Sequence, residues 1–217
     1  MYSATASAPA IGFLYDSRLV ATKWSLRQNI DIMKKLFLAL SFCLAFVAPT
    51  AFAEGGGFRL ISSEWHDGGS VPKENLFNGS GCGGANESPE FHWSDAPGGT
   101  KSFAITIFDL DAPTGGGWWH WVIFNIPGTI SELPAGAGNK DSKRMPPASV
   151  QCRNDYGEVG YGGPCPPPGS AHRYLVKVYA LNVEKLPFGS ETPPGKMAKQ
   201  IETHSIGVAK LMVKFGR

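Results

Sequence analysis

The amino-acid sequence predicts an antiparallel β-sandwich with one C-terminal helix over roughly residues 58–217. Short runs in this region either alternate apolar with polar side chains or are apolar almost throughout, and both patterns are typical of strands. The chain of 217 residues contains 27 Gly and 17 Pro, which favours many bends and few long helices. Its hydrophobic share of 42% is enough for one ordinary core.

The predicted strands are separated by clusters of turn residues. The run 121–126 is apolar almost throughout, which indicates a central strand covered on both faces. Residues 102–108 are β-branched and aromatic, and the run ends at Asp109. The other predicted strands are 58–62, 90–93, 174–181 and 211–215.

One long segment has helical periodicity, and it lies near the C-terminus. Met197, Ile201, Ser205 and Val208 recur at close to the spacing of one helix face, and a proline precedes them where helices tolerate it. The pattern predicts a helix near 194–209.

The N-terminal part of the chain contains a complete secretory signal at 33–53. Met33-Lys34-Lys35 is a basic start, residues 36–47 are apolar, and Ala51-Phe52-Ala53 is a small-x-small cleavage site. The apolar run is too short to span a bilayer, which needs ~20 apolar residues. We therefore expect a mature protein at 54–217 that is periplasmic or secreted, without stable membrane insertion.

Residues 1–32 precede this signal and show no clear periodicity. Since a signal normally begins at the N-terminus of the translated chain, our hypothesis is that translation starts at Met33. The upstream extension would then be a gene-start artefact.

The charge of the chain excludes one class of partner. The formal net charge is +2, but residues 1–53 hold five basic and two acidic residues. The remaining 15 basic and 16 acidic residues give residues 54–217 a net charge of −1. A near-neutral domain lacks the basic surface typical of nucleic-acid binding.

Three cysteines remain once Cys43 leaves with the signal. Cys82 and Cys165 both lie in glycine-rich loops, whereas Cys152 lies in a more regular run. An oxidising compartment favours a disulfide. We predict a Cys82–Cys165 bridge with Cys152 free, and a bridge that uses Cys152 is the open alternative.

Candidate binding residues lie in two Gly/Pro-rich bends next to strand-like runs. In the first bend, Asp109 and Asp111 either both line a pocket, or Asp109 faces it while Asp111 braces the loop. His120 is either a pocket residue or a core histidine that makes one backbone hydrogen bond. In the second bend, His172 and Tyr174 share one strand face by the period of two, which leaves the intervening arginine on the other.

The same segments resemble the phosphatidylethanolamine-binding protein family, in its bacterial Raf kinase inhibitor-like branch. Five ordered blocks carry the resemblance. The first four are Asn86-Glu87-Ser88-Pro89, Gly99-Thr100-Lys101-Ser102-Phe103, Asp109-Leu110-Asp111-Ala112-Pro113, and the run Trp118-Trp119-His120-Trp121 that continues to Pro127. The fifth is Gly160-Tyr161-Gly162-Gly163-Pro164 with Pro166-Pro167-Pro168-Gly169 and His172-Arg173-Tyr174. Leu110 departs from the proline that the family usually has.

The resemblance implies a β-sandwich with a cavity for phosphate-like and carboxylate-like anions. It places Asp109, His120, Pro167, His172 and Tyr174 around that cavity. The expected ligand is a small anion, phospholipid head groups included, and the alternative is a protein target for an inhibitor of a protease or kinase.

Two sources of attraction for the anion are expected from the residues themselves. Gly162, Gly163 and Gly169 let backbone N–H groups approach a ligand closely. Two imidazoles held protonated by adjacent carboxylates would add positive charge, so affinity would be higher near pH 5.5–6 than near pH 8. The predicted ligand-binding set is Asp109, Asp111, His120, Gly163, Pro167, His172 and Tyr174.

The sequence gives less support to an enzymatic function. A metal-dependent hydrolase is disfavoured because the chain has no His-x-x-x-His or Cys-x-x-Cys pair. An acyl-transfer enzyme is disfavoured because no Gly-x-Ser-x-Gly segment is present. We predict no catalytic residue, no metal and no cofactor, and the sequence leaves the oligomeric state open.

Overall fold

The computed structural model describes residues 57–217. The predictions for 1–32, for the signal at 33–53 and for Cys43 concern residues outside this range. Within it, no helix is both long and apolar enough to cross a membrane.

The larger of two antiparallel sheets carries most of the polar residues predicted above. Its strands are ordered β6-β4-β3-β7-β8, so β3 lies at the centre between β4 and β7. The strand bounds are β3 Ser102–Asp109, β4 Trp118–Pro127, β6 Val150–Gln151, β7 His172–Leu181 and β8 Ser205–Phe215.

The smaller sheet packs against one face of the larger one. It consists of β1 Arg59–Ile61, β2 Phe91–Ser94 and β5 Glu132–Leu133, in the order β1-β2-β5. Apolar side chains from both sheets form one buried cluster between them, as in a β-sandwich. The predicted fold class is therefore confirmed.

The other face of the larger sheet is covered by a helix and nearby loops. Helix α1, Pro194–Thr203, buries Met197 and Ile201 against side chains of β3, β4 and β7 such as Phe124. This second core explains why the central strands are apolar almost throughout, since each of their faces meets apolar neighbours.

The helix ends earlier than its periodicity predicts. The chain leaves α1 at His204 and continues as β8, which pairs with β7 along nearly its whole length. The prediction of a helix to 209 is wrong because residues from Ser205 onward also alternate between exposed and buried, as a strand does. A short sequence pattern can fit both the helical and the strand period, and pairing with a partner strand decides between them.

The cysteines have the arrangement that the sequence favours. Cys82 and Cys165 form a disulfide with Cα atoms 5.7 Å apart. Within residues 57–217, Cys152 is the free cysteine, and burial raises the pKa of its thiol to about 12. The bridge joins a loop that follows a 3₁₀ turn, Lys73–Asn75, to the segment before β7.

Candidate functional site

A cavity of about 240 Å³ opens where the end of β3 and the starts of β4 and β7 meet. This volume is slightly below the range typical of ligand pockets, about 300–1,000 Å³. Four of the seven predicted ligand-binding residues line it. The lining residues are Asp109, Ala112, Pro113, Thr114, Trp118, His120, Tyr156, Cys165, Pro166, Pro167 and His172.

A buried carboxylate–imidazole pair forms one wall. Asp109 is the last residue of β3 and is 3% exposed. Its Oδ2 lies 2.7 Å from Nδ1 of His172 on the neighbouring strand, and its Oδ1 accepts the backbone N–H of Asp111 at 2.8 Å. Both carboxylate oxygens are therefore engaged, and Oδ2 holds the His172 ring at the edge of the cavity.

His120 reaches the cavity through a β-bulge. Along β3, Ile107 and Phe108 are consecutive, but their partners on β4 are Trp121 and Trp119, so His120 is the extra residue. A bulge interrupts the alternation of a strand and redirects the side chain at that position. The local period alone could not predict this orientation.

The hydrogen bonds of His120 define its tautomer. Its Nδ1 lies 2.7 Å from the carbonyl oxygen of Gly162, and that oxygen can only accept. The proton of a neutral ring is therefore on Nδ1, and Nε2 presents a lone pair. The backbone N–H of Gly162 donates in return to the carbonyl of His120 at 2.9 Å, which fastens the loop before β7 to the bulge.

Burial keeps the His120 ring neutral. Loss of solvation lowers the pKa of His120 to about 4, despite the opposing contributions of the Gly162 carbonyl and the Asp109 carboxylate. The expectation that adjacent carboxylates keep both imidazoles protonated is wrong for His120, because desolvation outweighs the attraction of the nearby charge.

This shift predicts an acid sensitivity of the fold. An unfolded histidine has a pKa near 6.5, so between about pH 6.5 and 4 the unfolded chain binds a proton that folded His120 excludes. The contribution of His120 to the free energy of unfolding is fully present above pH 6.5. We expect this contribution to fall by about 3 kcal/mol by pH 4.

Urea unfolding at pH 7, 5.5 and 4 measures this loss. His120→Gln is the comparison, since glutamine does not titrate, and the difference between the two pH profiles cancels the other groups. Parallel profiles for wild type and variant would contradict a depressed histidine pKa.

Three buried polar atoms at this site have no hydrogen-bond partner among residues 57–217. They are Nε1 of Trp118, Nε2 of His120 and the hydroxyl of Tyr174, and we call them the three orphan atoms. Trp118 and His120 line the cavity, and the Tyr174 ring centroid lies 5.2 Å from that of His120 and 6.5 Å from that of His172. Buried polar groups without partners are costly and unusual, so their grouping here indicates a binding site.

Tyr174 lies behind the cavity wall rather than in its lining. It is fully buried, and burial together with the charge of Asp109 raises the pKa of its hydroxyl. The hydroxyl therefore stays protonated, and it can donate or accept a hydrogen bond but carries no charge.

Asp111 does not line the cavity. Its carboxylate receives hydrogen bonds of 2.9 and 2.7 Å from the Arg173 guanidinium and one of 2.8 Å from the Arg173 backbone N–H. The hydrogen bonds from Arg173 lower the pKa of Asp111 to about 2. Of the two alternatives for Asp111, the structure has the one in which it braces the loop, because Arg173 projects from the opposite face of β7.

The glycine N–H groups are not available to a ligand. Gly162 donates to the His120 carbonyl, Gly163 to the Asn86 side chain at 2.7 Å, and Gly169 to the Arg217 carbonyl at 3.1 Å. The prediction that these groups cradle an anion, with Gly163 in the binding set, is wrong. A flexible sequence does not reveal which of its N–H groups other segments have already engaged.

Sequence reasoning missed two aromatic residues of the site. Tyr156 stacks on Phe77 with ring centroids 4.2 Å apart and donates its hydroxyl to the Gly163 carbonyl at 2.9 Å. Trp118 packs edge-on against Tyr156 at 5.3 Å. The position of Trp118 beside His120 was a usable signal, whereas Tyr156 lies in a turn cluster with no pattern to distinguish it.

The site combines acceptors and donors in a partly closed, largely apolar wall. Asp109 and His172 supply the polar edge, Trp118 Nε1 supplies a donor, and Nε2 of the neutral His120 ring supplies an acceptor. Within residues 57–217, no group of three His, Cys, Asp or Glu side chains is arranged to hold a metal ion. Such an arrangement can bind a small polar group by hydrogen bonds.

Comparison with known proteins gives one family. The profile described as "Phosphatidylethanolamine-binding protein" matches residues 61–216. The UPF0098 protein YbcL of Escherichia coli strain K12 is 43% identical over 175 residues, which cover 80% of this chain and 94% of that protein. The UPF0098 protein YbhB of the same strain is 41% identical over 157 residues, with 72% and 99% covered.

Solved structures show the same similarity in three dimensions. The crystal structure of E. coli YbcL, described as a new member of the mammalian PEBP family, superposes with a TM-score of 0.72 at 42% identity. The superposition covers 74% of this chain and 98% of the YbcL chain. The CT736 structure from Chlamydia trachomatis has a TM-score of 0.62 at 30% identity with the same coverage.

Proposed function

The chain belongs to the phosphatidylethanolamine-binding protein family, and from that premise we propose that it is an exported binding protein. Its cavity takes a phosphate- or carboxylate-bearing small ligand, phospholipid head groups included. The observation that carries the proposal is the group of three orphan atoms beside the Asp109–His172 pair. A ligand that accepts a hydrogen bond from Trp118 and donates one to His120 would satisfy the two orphan atoms whose residues line the cavity.

The dimensions of the cavity support a small ligand or a head group. Its volume of about 240 Å³ suits a compact group, and Pro167 and Trp118 add apolar wall. His172 is the residue best placed to contact an anion, since Asp109 orients its Nδ1 and leaves the other ring nitrogen for the ligand.

Replacement of His172 by alanine is expected to weaken binding. A charge-assisted hydrogen bond is worth ~1.5–3 kcal/mol, so His172→Ala should lower the affinity for phosphate by roughly ten- to a hundred-fold. Calorimetric titration of phosphate, acetate and phosphoethanolamine into both proteins measures the change. His92→Ala is the matched control, because His92 is a half-exposed histidine on β2.

Binding that is equal in all three proteins, or absent from wild type, would contradict the anion pocket. It would favour the second candidate function, a protein-interaction module that inhibits a protease or kinase.

Export is part of the proposal. The sequence signal at 33–53 is its basis, and a disulfide is compatible with an oxidising compartment. The intact mass of the exported protein should correspond to a start near Glu54. A cytoplasmic species that retains residues 33–53 would refute it.

We also propose that the protein binds without turnover. The cavity offers a carboxylate and two imidazoles, and the described residues around it include neither a nucleophile–base pair nor a metal set. A hydrolysis that depends on His120 and is stimulated by metal would contradict this.

A further inference from the structure

The ring of His120 gives the cavity a requirement that goes beyond general affinity for anions. We propose that the cavity selects ligands whose anionic group also carries a hydrogen-bond donor, and therefore takes phosphate monoesters in preference to phosphate diesters. This inference rests on the proposed function, since it concerns the same cavity.

The direction of the hydrogen bond at His120 Nδ1 determines what its other ring nitrogen can do. The carbonyl oxygen of Gly162 can only accept a hydrogen bond. Its 2.7 Å contact with His120 Nδ1 therefore places the ring proton on Nδ1. The Nε2 atom is buried and has no partner among the described residues. In the neutral ring it is an acceptor, and a ligand oxygen that only accepts would face it lone pair to lone pair.

His120 Nε2 could become a donor only if the ring took up a second proton. The titratable groups that face it are Asp109, which favours the charged ring, and His172, which opposes it when charged. Tyr156 and Tyr174 pack edge-on against the ring and stay neutral, since burial raises both of their pKa values. Burial of the ring dominates, with its pKa lowered to about 4, so Nε2 is an acceptor at neutral and mildly acidic pH.

A phosphate group can match the orphan atoms at the cavity. Trp118 Nε1 and the Tyr174 hydroxyl are donors, and His120 Nε2 is an acceptor. A monoester monoanion has accepting oxygens and one P–OH, so it can accept from Trp118 and donate to His120, the two of these residues that line the cavity. A diester monoanion has accepting oxygens only, and it would leave the His120 lone pair buried without a partner.

Two isomeric probes separate these cases. Ethyl phosphate and dimethyl phosphate have the same atoms, and at pH 5 both carry mainly one negative charge, because the second pKa of a monoester is about 6. They differ in the P–OH. We expect dimethyl phosphate to bind at least about tenfold more weakly in calorimetric titration of the full protein. Equal affinities, or tighter binding of the diester, would overturn the proposal.

A second comparison uses pH to deprotonate the P–OH of ethyl phosphate, with inorganic phosphate as the reference. At pH 8 ethyl phosphate is a dianion without a P–OH, whereas inorganic hydrogen phosphate is a dianion that keeps one. The affinity ratio of ethyl phosphate to inorganic phosphate should therefore fall about tenfold between pH 5 and pH 8. Titration of the protein's own groups affects both ligands and cancels in the ratio. An unchanged ratio would contradict the selection.

The failure of this inference can be distinguished from that of the proposed function. If inorganic phosphate and both esters fail to bind, the anion pocket itself is wrong, and the inference falls with it. If all bind equally, the pocket stands and the selection is wrong. Nitrogen-15 spectra of ring-labelled histidine add a direct readout: an Nε2 of His120 that carries a proton in the free protein at pH 5 would overturn the proposal.

The same chemistry can come from a soluble ester or from a lipid with a monoester head group. Vesicles that contain phosphatidic acid present a monoester, and vesicles that contain phosphatidylmethanol present an anionic diester without a hydrogen-bond donor. Binding to the first alone supports the proposal with a lipid source, and binding of ethyl phosphate without either vesicle supports it with a soluble source. Preference for the phosphatidylmethanol vesicles would contradict it.

Discussion

Loss of the Cys82–Cys165 disulfide is expected to lower the free energy of unfolding by ~3–5 kcal/mol. The two cysteines are 83 residues apart, and in the chain-entropy model a cross-link over a loop of that length restricts the unfolded chain strongly. The effect on the site should be as clear, because Cys165 lines the cavity next to Pro166 and Pro167. We therefore expect weaker phosphate binding as well as lower stability.

Chemical unfolding of Cys82→Ser/Cys165→Ser and of wild type under a thiol reductant measures this change. Cys152→Ala is the control, since it removes a buried cysteine that is free. Reductant should destabilise Cys152→Ala and wild type to the same extent, and should leave the double serine variant unchanged. If the double variant matches wild type in stability without reductant, the bridge contributes nothing.

Gly163→Ala is expected to have the next largest effect, of about 3 kcal/mol or more on stability. A Cβ at this position would lie 2.5 Å from the backbone C of Leu76 and the backbone N of Phe77, and closer still to the carbonyl oxygen of Asn75. All three atoms belong to the main chain, so no side chain can rotate away. The segment 75–77 would have to separate from the loop that carries Gly163.

Ligand binding should weaken in the same variant. The Gly163 carbonyl accepts a hydrogen bond from the hydroxyl of Tyr156, so a shift of Gly163 would displace this residue of the cavity wall. Thermal and chemical unfolding, with phosphate titration where the variant folds, measure both effects. Gly189→Ala is the control, since a Cβ there meets nothing within 4 Å. Equal stability of the two variants would show that the backbone at Gly163 can shift without cost.

The fold class and most of the larger sheet could be predicted from the sequence. The strands 102–108, 121–126 and 174–181 carry patterns of four or more residues, and each appears within a few residues of its predicted bounds. The two-residue strands β5 and β6 were missed because two residues have no period. Helix α1 was predicted too long because β8 alternates in a way that a helical period also fits.

The candidate site was predicted in part. His172 and Tyr174 share a strand face, as the period of two requires, and Asp109 comes directly off β3. The wrong expectations concern contacts with segments far along the chain. Asp111 is held by Arg173, and Gly163 by Asn86 and the backbone near Leu76.

The sequence by itself determined the family resemblance, the sandwich and which polar side chain types surround the cavity, because these depend on local patterns and on ordered motifs. Only the tertiary structure decided the bulge that turns His120 into the wall, the Gly162 carbonyl that sets its tautomer, and the burial that keeps it neutral. The physical reason is that strand register, hydrogen-bond direction and desolvation arise between segments that meet only in the folded chain. The chemistry of the cavity therefore depends on contacts that local sequence does not encode.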